Sequence, residues 1–409
     1  MNRFQIFPEG TVTSPAGFTA VALATGIKKE DQLDCAIIYS EQDASCAAMF
    51  TQNQVVAAPV IVDKGTLTRN NGRLRTVVIN SQNANACTGK PGLDNAHATQ
   101  KIAAQALECQ PDQVLILSTG VIGVQLPMEK LKAGIVAGAK GLSAANGRLA
   151  AKAIMTTDTH PKHLAVSVGL PSGTVTIGGM AKGSGMIHPN MATMLAVLTT
   201  DAAIAPNVLN GLLNTAVNRS FNRISIDGDT STNDTVLLLA NGASGTAVTN
   251  PASITQFSDA LNHLCTTLAH MIVRDGEGAT KFVEIRVTGA KTEADAHQIG
   301  NTIAISPLVK TAFAGSDANW GRLLMAAGRA GVPFDQTIIN LWIGADVPDE
   351  LQLVANGTPT EYLEADAAAI FAQPAFIVWL DLGVGGETAV VWTTDLSHDY
   401  VTINADYRT

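Results

Sequence analysis

The sequence predicts an α/β protein in which helices cover β-sheets in layers. The chain of 409 residues is 46% hydrophobic and only 15% charged. This composition supplies a large core and argues against disorder. Short β-rich segments alternate with long segments of helical periodicity, and no repeat or low-complexity linker separates them. The apolar face of a sheet and the apolar stripe of a helix are both buried when helices pack on sheets in layers.

The N-terminal half is predicted to contain several strands and a helix. TVVINS (76–81) and QVLILST (113–119) are β-rich and end in polar residues, as strands do. Residues 128–142 have the periodicity of a helix. LAVSVGL and TVTIGG, on either side of PSG (171–173), indicate a β-hairpin.

The C-terminal half continues this alternation. An apolar strand is predicted after residue 193, followed by a helix from about Pro206 to Phe221. A second helix is predicted over 254–272 and should end at RDGEG (274–278), where glycines suit a helix end. KFVEIRV (281–287) alternates apolar and polar residues, as a half-buried strand does. Further strands are predicted at 339–345, 376–382, 389–396 and 400–407.

Composition also limits the class of function and the compartment. The net charge is −9 and no run of Lys or Arg occurs, so nucleic-acid binding is not indicated. No stretch approaches about 18 consecutive apolar residues, and the N-terminus lacks a secretory signal. We therefore expect a cytoplasmic protein. No CxxC pair occurs, so we expect no zinc site, and we expect free buried thiols at Cys35, Cys46, Cys87, Cys109 and Cys265.

Two glycine-rich segments do not match nucleotide-binding loops. In GGMAKGSGM (178–186) Lys182 precedes Gly183, which is the wrong order for a P-loop. GVGGET (383–388) lacks the third glycine of a dinucleotide fingerprint. Both segments are predicted to be loops without a phosphate.

The candidate nucleophile lies in KGSGMIHPNMATMLAVLTTDA (182–202), where Thr193 follows a glycine-rich run and opens an apolar stretch. A β-branched residue also begins an ordinary strand well, and this is the simpler interpretation. Against it, Pro189 restricts the backbone, and Gly183 and Gly185 permit unusual backbone conformations. The segment can therefore hold the peptide before Thr193 under strain.

Strain at that peptide permits an N→O acyl shift. The Thr193 hydroxyl attacks the carbonyl of Ala192, and water then cleaves the ester. The new N-terminal threonine combines a nucleophile with an α-amine whose pKa is about 8, near working pH. His188 is also near the nucleophile in sequence, but the free amine already supplies a base, so we expect His188 to be a loop residue.

These segments resemble the ornithine acetyltransferase family of arginine biosynthesis. The resemblance extends over essentially the whole chain and is carried by GMIHPNMATMLAVLTTDA (185–202), NSQNANACTG (80–89), LSTGVIG (117–123), IMTTDT (154–159), SIDGDTSTNDT (225–235), DGEGATKF (275–282), DANWGR (317–322) and DYVTINADYRT (399–409). One departure is Gln82, where the family pattern leads us to expect glycine.

The resemblance implies an α/β/β/α fold of the DmpA/ArgJ-like type, cleaved between Ala192 and Thr193. The products would be an alpha chain, 1–192, and a beta chain, 193–409, assembled as a heterotetramer of two of each. The family's oxyanion hole matches Thr119 and Gly120, which could stabilise the charge that develops during acyl transfer. Substrate contacts carry over to Thr156, Lys182, Thr193, Glu277, Asn404 and Thr409.

Each of these residues also has a simpler interpretation. Thr119 could only cap a turn, and Lys182 could be a solvated loop residue instead of a partner for a carboxylate. Glu277 could be a solvated carboxylate at a helix end instead of a partner for the ornithine ammonium. Terminal residues such as Asn404 commonly fray.

The implied reaction moves acetyl from N2-acetyl-L-ornithine to L-glutamate through acetyl-Thr193, without a metal or organic cofactor. Whether acetyl-CoA is a further donor stays open. A related self-processing amidohydrolase or aminopeptidase would use the same nucleophile with water as acceptor. A non-enzymatic binding protein, in which Thr193 only starts a strand, is the other alternative.

Overall fold

The structure is a computed structural model that describes residues 4–29, 31–188 and 194–406. Ala192, Thr193 and Thr409 lie outside the described residues. The strands are β1 (Phe4–Phe7), β2 (Phe18–Leu23), β3 (Cys35–Phe50), β4 (Arg73–Asn80), β5 (Val114–Ser118), β6 (Lys162–Leu170), β7 (Gly173–Lys182), β8 (Leu195–Thr200), β9 (Ile224–Ser225), β10 (Thr235–Ala240), β11 (Phe282–Ala290), β12 (Asn340–Gly344), β13 (Leu351–Ala355), β14 (Thr358–Pro359), β15 (Ala375–Asp381) and β16 (Glu387–Thr394).

Helices connect and cover these strands. They are α1 (Ala58–Asn70), α2 (Gly89–Ala106), α3 (Met128–Gly138), α4 (Gly147–Ala153), α5 (Pro206–Arg219), α6 (Pro251–Arg274), α7 (Glu293–Ala304), α8 (Pro307–Ala314), α9 (Trp320–Gly328), α10 (Glu364–Phe371) and α11 (His398–Asp406). The helices predicted from about 128, 206 and 254 and the hairpin around 171–173 are all confirmed.

The first sheet runs in the order β1-β6-β7-β8-β10-β3-β4-β5, with β2 also paired to β3. The long strand β3 joins two halves of this sheet. Its first part pairs with β2 and β4, and its last part pairs with β10. The register against β4 shifts between Tyr39 and Ala44, and such an irregularity bends a strand. The sheet therefore folds over on itself.

Three apolar clusters fill the layers that this fold creates. One core takes Ile38 and Ile79 from one half of the sheet and Met180, Val197 and Leu237 from the other, so it lies between the halves. A second core packs α1–α3 on the outside of the first half. A third packs α5 and α6 on the outside of the second half. This is the α/β/β/α layering, and the predicted fold class is confirmed.

The second sheet runs in the order β14-β13-β12-β15-β11-β16-β9. Helices α7–α10 cover one of its faces around a separate apolar core. The end of α6 contacts the same sheet, where the His270 ring packs edge-on against Trp392 and Phe282. Helix α6 therefore connects the two sheets.

The prediction of a strand over 400–407 is wrong, because the described part of this segment, 400–406, belongs to helix α11. The prediction rested on the β-branched and aromatic residues of YVTIN, but β propensity reflects packing within a sheet. None of the described residues of α11 is buried, and Val401 is 64% exposed. The helix instead places Tyr400 and Asn404, four residues apart, on one face.

Two smaller predictions also need correction. The segment 178–186 is not all loop, because β7 continues through Lys182 and pairs it with Leu195. All five cysteines are free, but only Cys35, Cys46 and Cys265 are buried. Cys87 is exposed and Cys109 is half-buried, since neither lies in the interior of a strand or helix.

Candidate active site

One pocket, with a cavity volume of about 150 Å³, collects the predicted site residues that the structure describes. These residues come from segments that are far apart in the chain, and all of them line the pocket: Thr119, Gly120, Thr156, Lys182, Glu277 and Asn404. Ala192, Thr193 and Thr409 lie outside the described residues, so their predicted roles stay predictions.

The turn after β5 presents Thr119 and Gly120 to the pocket. Two hydrogen bonds fix this turn: Thr119 N–H donates to the Asn80 carbonyl at 3.0 Å, and Asn233 Nδ2 donates to the Ser118 carbonyl at 2.9 Å. Gly120 has φ +132°, and a Cβ there would lie 2.2 Å from the backbone carbon of Gln82. Only glycine fits this position.

Two donors in this turn are free for a ligand. Within the described ranges, neither the Gly120 N–H nor the Thr119 hydroxyl donates to a protein acceptor. The Thr119 oxygen accepts a hydrogen bond from Lys182 Nζ at 3.4 Å, which leaves its hydrogen available. An N–H and an O–H side by side are the donors of an oxyanion hole.

Lys182, at the end of β7, is 3% exposed and is therefore not a solvated loop lysine. Its ammonium donates to Thr156 Oγ1 at 2.9 Å and lies 3.9 Å from Asp158 Oδ2. Burial lowers the pKa of Lys182, while the Asp158 carboxylate opposes this change. A buried cation lining a pocket is suited to bind a carboxylate.

Asp158 links several parts of the site, although sequence reasoning did not single it out. Its carboxylate accepts from Lys162 Nζ at 2.7 Å, Gly183 N–H at 2.7 Å and Thr156 N–H at 3.0 Å. Burial alone would raise its pKa, but the two nearby ammonium groups hold the pKa of Asp158 well below its usual range. The sequence offered one signal for this role, because Asp158 is the charged residue of the motif IMTTDT.

The pocket also has acidic lining residues. Glu277 Oε2 accepts from Asn404 Nδ2 at 2.8 Å, and the Glu277 N–H donates to the Ser184 carbonyl at 2.7 Å. A Cβ on Gly185 would lie 2.4 Å from the Glu277 carboxyl carbon, so a larger residue there would displace this carboxylate. Asp227 and Asp229 line the pocket as well, so these carboxylates attract a cation.

Asp234 anchors the start of β8, and sequence reasoning also missed it. Its Oδ1 accepts from the Met194 N–H at 2.8 Å. Burial raises the pKa of Asp234 well above its usual range. The signal in the sequence was its position in STNDT (231–235), part of a motif that resembles the family.

His188 lies in a loop, as predicted. Its Nδ1 lies 3.4 Å from Ser225 Oγ, and it does not line the pocket. Burial lowers the pKa of His188.

Neither a metal centre nor a membrane helix is found in the described ranges. No group of three or more His, Cys, Asp or Glu residues there could hold a metal ion. No helix among them combines the length and the apolar character needed to cross a membrane.

Comparisons with known proteins place the chain in a family. Residues 19–409 match the model of the ArgJ family. The chain is 47% identical over 98% of its length to the arginine biosynthesis bifunctional protein ArgJ of Symbiobacterium thermophilum, covering 99% of that protein. It is 44% identical to the protein of the same name from Staphylococcus aureus, with 100% and 97% of the two chains covered.

A solved structure is also similar. The ornithine acetyltransferase of Mycobacterium tuberculosis in complex with ornithine is 42% identical, with a TM-score of 0.43; the match covers 46% of this chain and 98% of that chain. The near-complete family match and the relatives above 40% identity establish that the chain belongs to the ArgJ family.

Proposed function

We propose that this enzyme transfers acetyl from N2-acetyl-L-ornithine to L-glutamate. The observation that carries the proposal is that one pocket combines free oxyanion donors at Thr119 and Gly120 with a buried lysine and several carboxylates. Relatives named for arginine biosynthesis and a similar ornithine acetyltransferase support the same substrates.

Thr193 is the proposed nucleophile, released by self-cleavage after Ala192. Its sequence neighbour Met194 is held by Asp234 at the start of β8, next to Asn233, which lines the pocket. Cleavage divides the protein into an alpha chain, 1–192, and a beta chain, 193–409. A heterotetramer of two alpha and two beta chains in the cytoplasm is part of the proposal.

The proposed transfer has two steps. The α-amine of Thr193 takes the proton of its own hydroxyl, and the oxygen attacks the acetyl carbonyl while Thr119 and Gly120 stabilise the oxyanion. The C–N bond then breaks, and ornithine leaves with the proton on its α-nitrogen. In the second step the α-amine of glutamate attacks the acetyl ester, loses a proton and restores the Thr193 hydroxyl.

Binding of the amino acid uses the polar and charged residues of the pocket. Lys182 pairs with the substrate α-carboxylate beside Thr156, while Glu277 and Asn404 receive the side-chain ammonium of ornithine. Thr409 is proposed to complete the contacts at the chain end. The chemistry requires no metal or organic cofactor, and acetyl-CoA is proposed as a second acetyl donor because the relatives are named bifunctional.

Initial rates with purified, fully processed protein test this function. Ornithine release from N2-acetyl-L-ornithine should require L-glutamate and yield equal amounts of N-acetyl-L-glutamate. Ornithine release at the same rate without glutamate would instead support the amidohydrolase, with water as acceptor. A parallel assay with acetyl-CoA and glutamate tests the second donor.

A further inference from the structure

We propose that Asp158 is a positioning residue of this site, which keeps the Lys182 ammonium charged and holds Lys182 and Thr156 in place for the substrate carboxylate. This inference rests on the proposed function, since it concerns binding of the amino-acid substrate. It assigns a role to a residue that touches no substrate itself.

The geometry places Asp158 behind both substrate-binding residues. One oxygen, Oδ2, accepts from the Thr156 N–H at 3.0 Å and lies 3.9 Å from Lys182 Nζ. The other, Oδ1, accepts from the Gly183 N–H at 2.7 Å, directly after Lys182 in the chain. Since Lys182 Nζ also donates to Thr156 Oγ1 at 2.9 Å, one carboxylate joins the turn after α4 to the end of β7.

A second cation balances this carboxylate. Lys162 Nζ donates to Asp158 Oδ1 at 2.7 Å and to Asp275 Oδ2 at 2.5 Å. Lys162 is 2% exposed, and the Asp158 side chain is fully buried. Lys162 therefore competes with Lys182 for the same carboxylate, while Asp275 contacts Lys162 and not Lys182.

The charge of Lys182 depends on the groups that face it. Burial has the largest effect on the pKa of Lys182 and lowers it. The carboxylate of Asp158 opposes this change, and those of Glu277 and Asp234 also raise the pKa. The Lys162 ammonium lowers it further. Lys28 is a further cation within electrostatic range. Since the neutral amine cannot pair with a carboxylate, substrate binding must weaken as pH rises through the pKa of Lys182.

Three variants test the role of Asp158 through the pH dependence of KM for N2-acetyl-L-ornithine. The substrate keeps its carboxylate and its side-chain ammonium up to about pH 9.5. In Asp158→Asn the alkaline rise in KM should begin at least about one pH unit lower than in the wild type, because a close opposite charge is lost. In Lys162→Met the rise should move to higher pH, because a like charge is lost.

Asp275→Asn is the matched control. This substitution removes the Asp275 carboxylate that contacts Lys162. The pH at which KM rises should remain that of the wild type. General structural damage would move Asp158→Asn and Lys162→Met in the same direction, whereas the inference requires opposite directions. Completeness of self-cleavage is checked for each protein.

Each result of these measurements either supports or overturns the inference. An unchanged Asp158→Asn profile, or equal profiles for Asp158→Asn and Asp275→Asn, would overturn it. If Asp158→Asn yields no folded protein, Lys162→Met decides: a shift to higher pH supports the inference and any other result overturns it. A wild type without glutamate-dependent ornithine release would overturn the proposed function as well, which separates the two failures.

Discussion

At the scale of single residues, the Thr119–Gly120 turn shows why side-chain identity is restricted. Gly120 needs positive φ and leaves no room for a Cβ against the backbone of Gln82. Gln82 itself adopts φ +73°, a left-handed conformation that costs a non-glycine residue about 1 kcal/mol. The expected glycine at position 82 therefore has a physical reason, and this protein tolerates the strain.

Thr119→Ala removes one donor of the proposed oxyanion hole. We expect kcat to fall by about 10²–10³, because the oxyanion exists only near the transition state. KM should change much less. Steady-state kinetics with N2-acetyl-L-ornithine measure both, and Thr119→Ser, which keeps the hydroxyl, is the control. A Thr119→Ala variant with wild-type kcat would contradict the role.

At the scale of elements, α11 completes the pocket from the C-terminal end of the chain. Asn404 is the contact between this helix and Glu277. In Asn404→Ala, the Glu277 carboxylate loses a donor, and we expect KM for N2-acetyl-L-ornithine to rise about tenfold or more. Self-cleavage should proceed as in the wild type. His398→Ala, on the same helix but outside the pocket lining, is the comparison; equal KM values in the two variants would argue against the contact.

Helix α8 carries a buried lysine that links it to β16. Lys310 Nζ donates to Thr393 Oγ1 at 3.1 Å and to Thr394 Oγ1 at 3.2 Å. Burial lowers the pKa of Lys310 to about 7, although Asp395 and Asp227 oppose this. In the unfolded chain its pKa should return to about 10.4.

Stability should therefore depend on pH through Lys310. Between the two pKa values the unfolded chain binds more protons, so the free energy of unfolding should rise with pH from about 7 to about 10, by at most about 1.4 kcal/mol per pH unit. Denaturant titrations across this range should show a smaller slope for Lys310→Met. Parallel wild-type and variant curves would show that Lys310 is charged throughout.

At the scale of the whole molecule, the proposed cleavage lies inside one sheet. Strands β8 and β10 belong to the proposed beta chain, but they pair with β7 and β3 of the proposed alpha chain. Helix α6 of the beta chain also packs on β6 and β7. Separation of the two chains would open the sheet and expose its cores.

We therefore expect the cleaved chains to stay together under native conditions. A tag on the alpha chain should retain the complete beta chain during purification, and denaturant should release it only as the protein unfolds. Release of folded beta chain without denaturant would contradict this arrangement. Thr193→Ala, which lacks the hydroxyl required for the acyl shift, is the uncleaved control.

The sequence by itself determined the alternation of strands and helices, the family and the candidate residues. Hydrophobic periodicity is a local property, so it predicted α5, α6 and β11 correctly. Motifs such as LSTGVIG and DGEGATKF also marked Thr119, Gly120 and Glu277, which do line the pocket. The hydroxyl of a threonine, the missing Cβ of a glycine and the carboxylate of a glutamate are properties that single residues carry.

Only the tertiary structure decided where charges are buried and which segments meet. YVTIN has the composition of a strand, but in the folded protein it is part of α11, where Asn404 contacts Glu277. The link from Asp158 to Lys182, Thr156 and Lys162 depends on a turn and strands that the chain brings together only on folding. Burial and the distance between charges set the pKa of these groups, and neither quantity is encoded locally in the sequence.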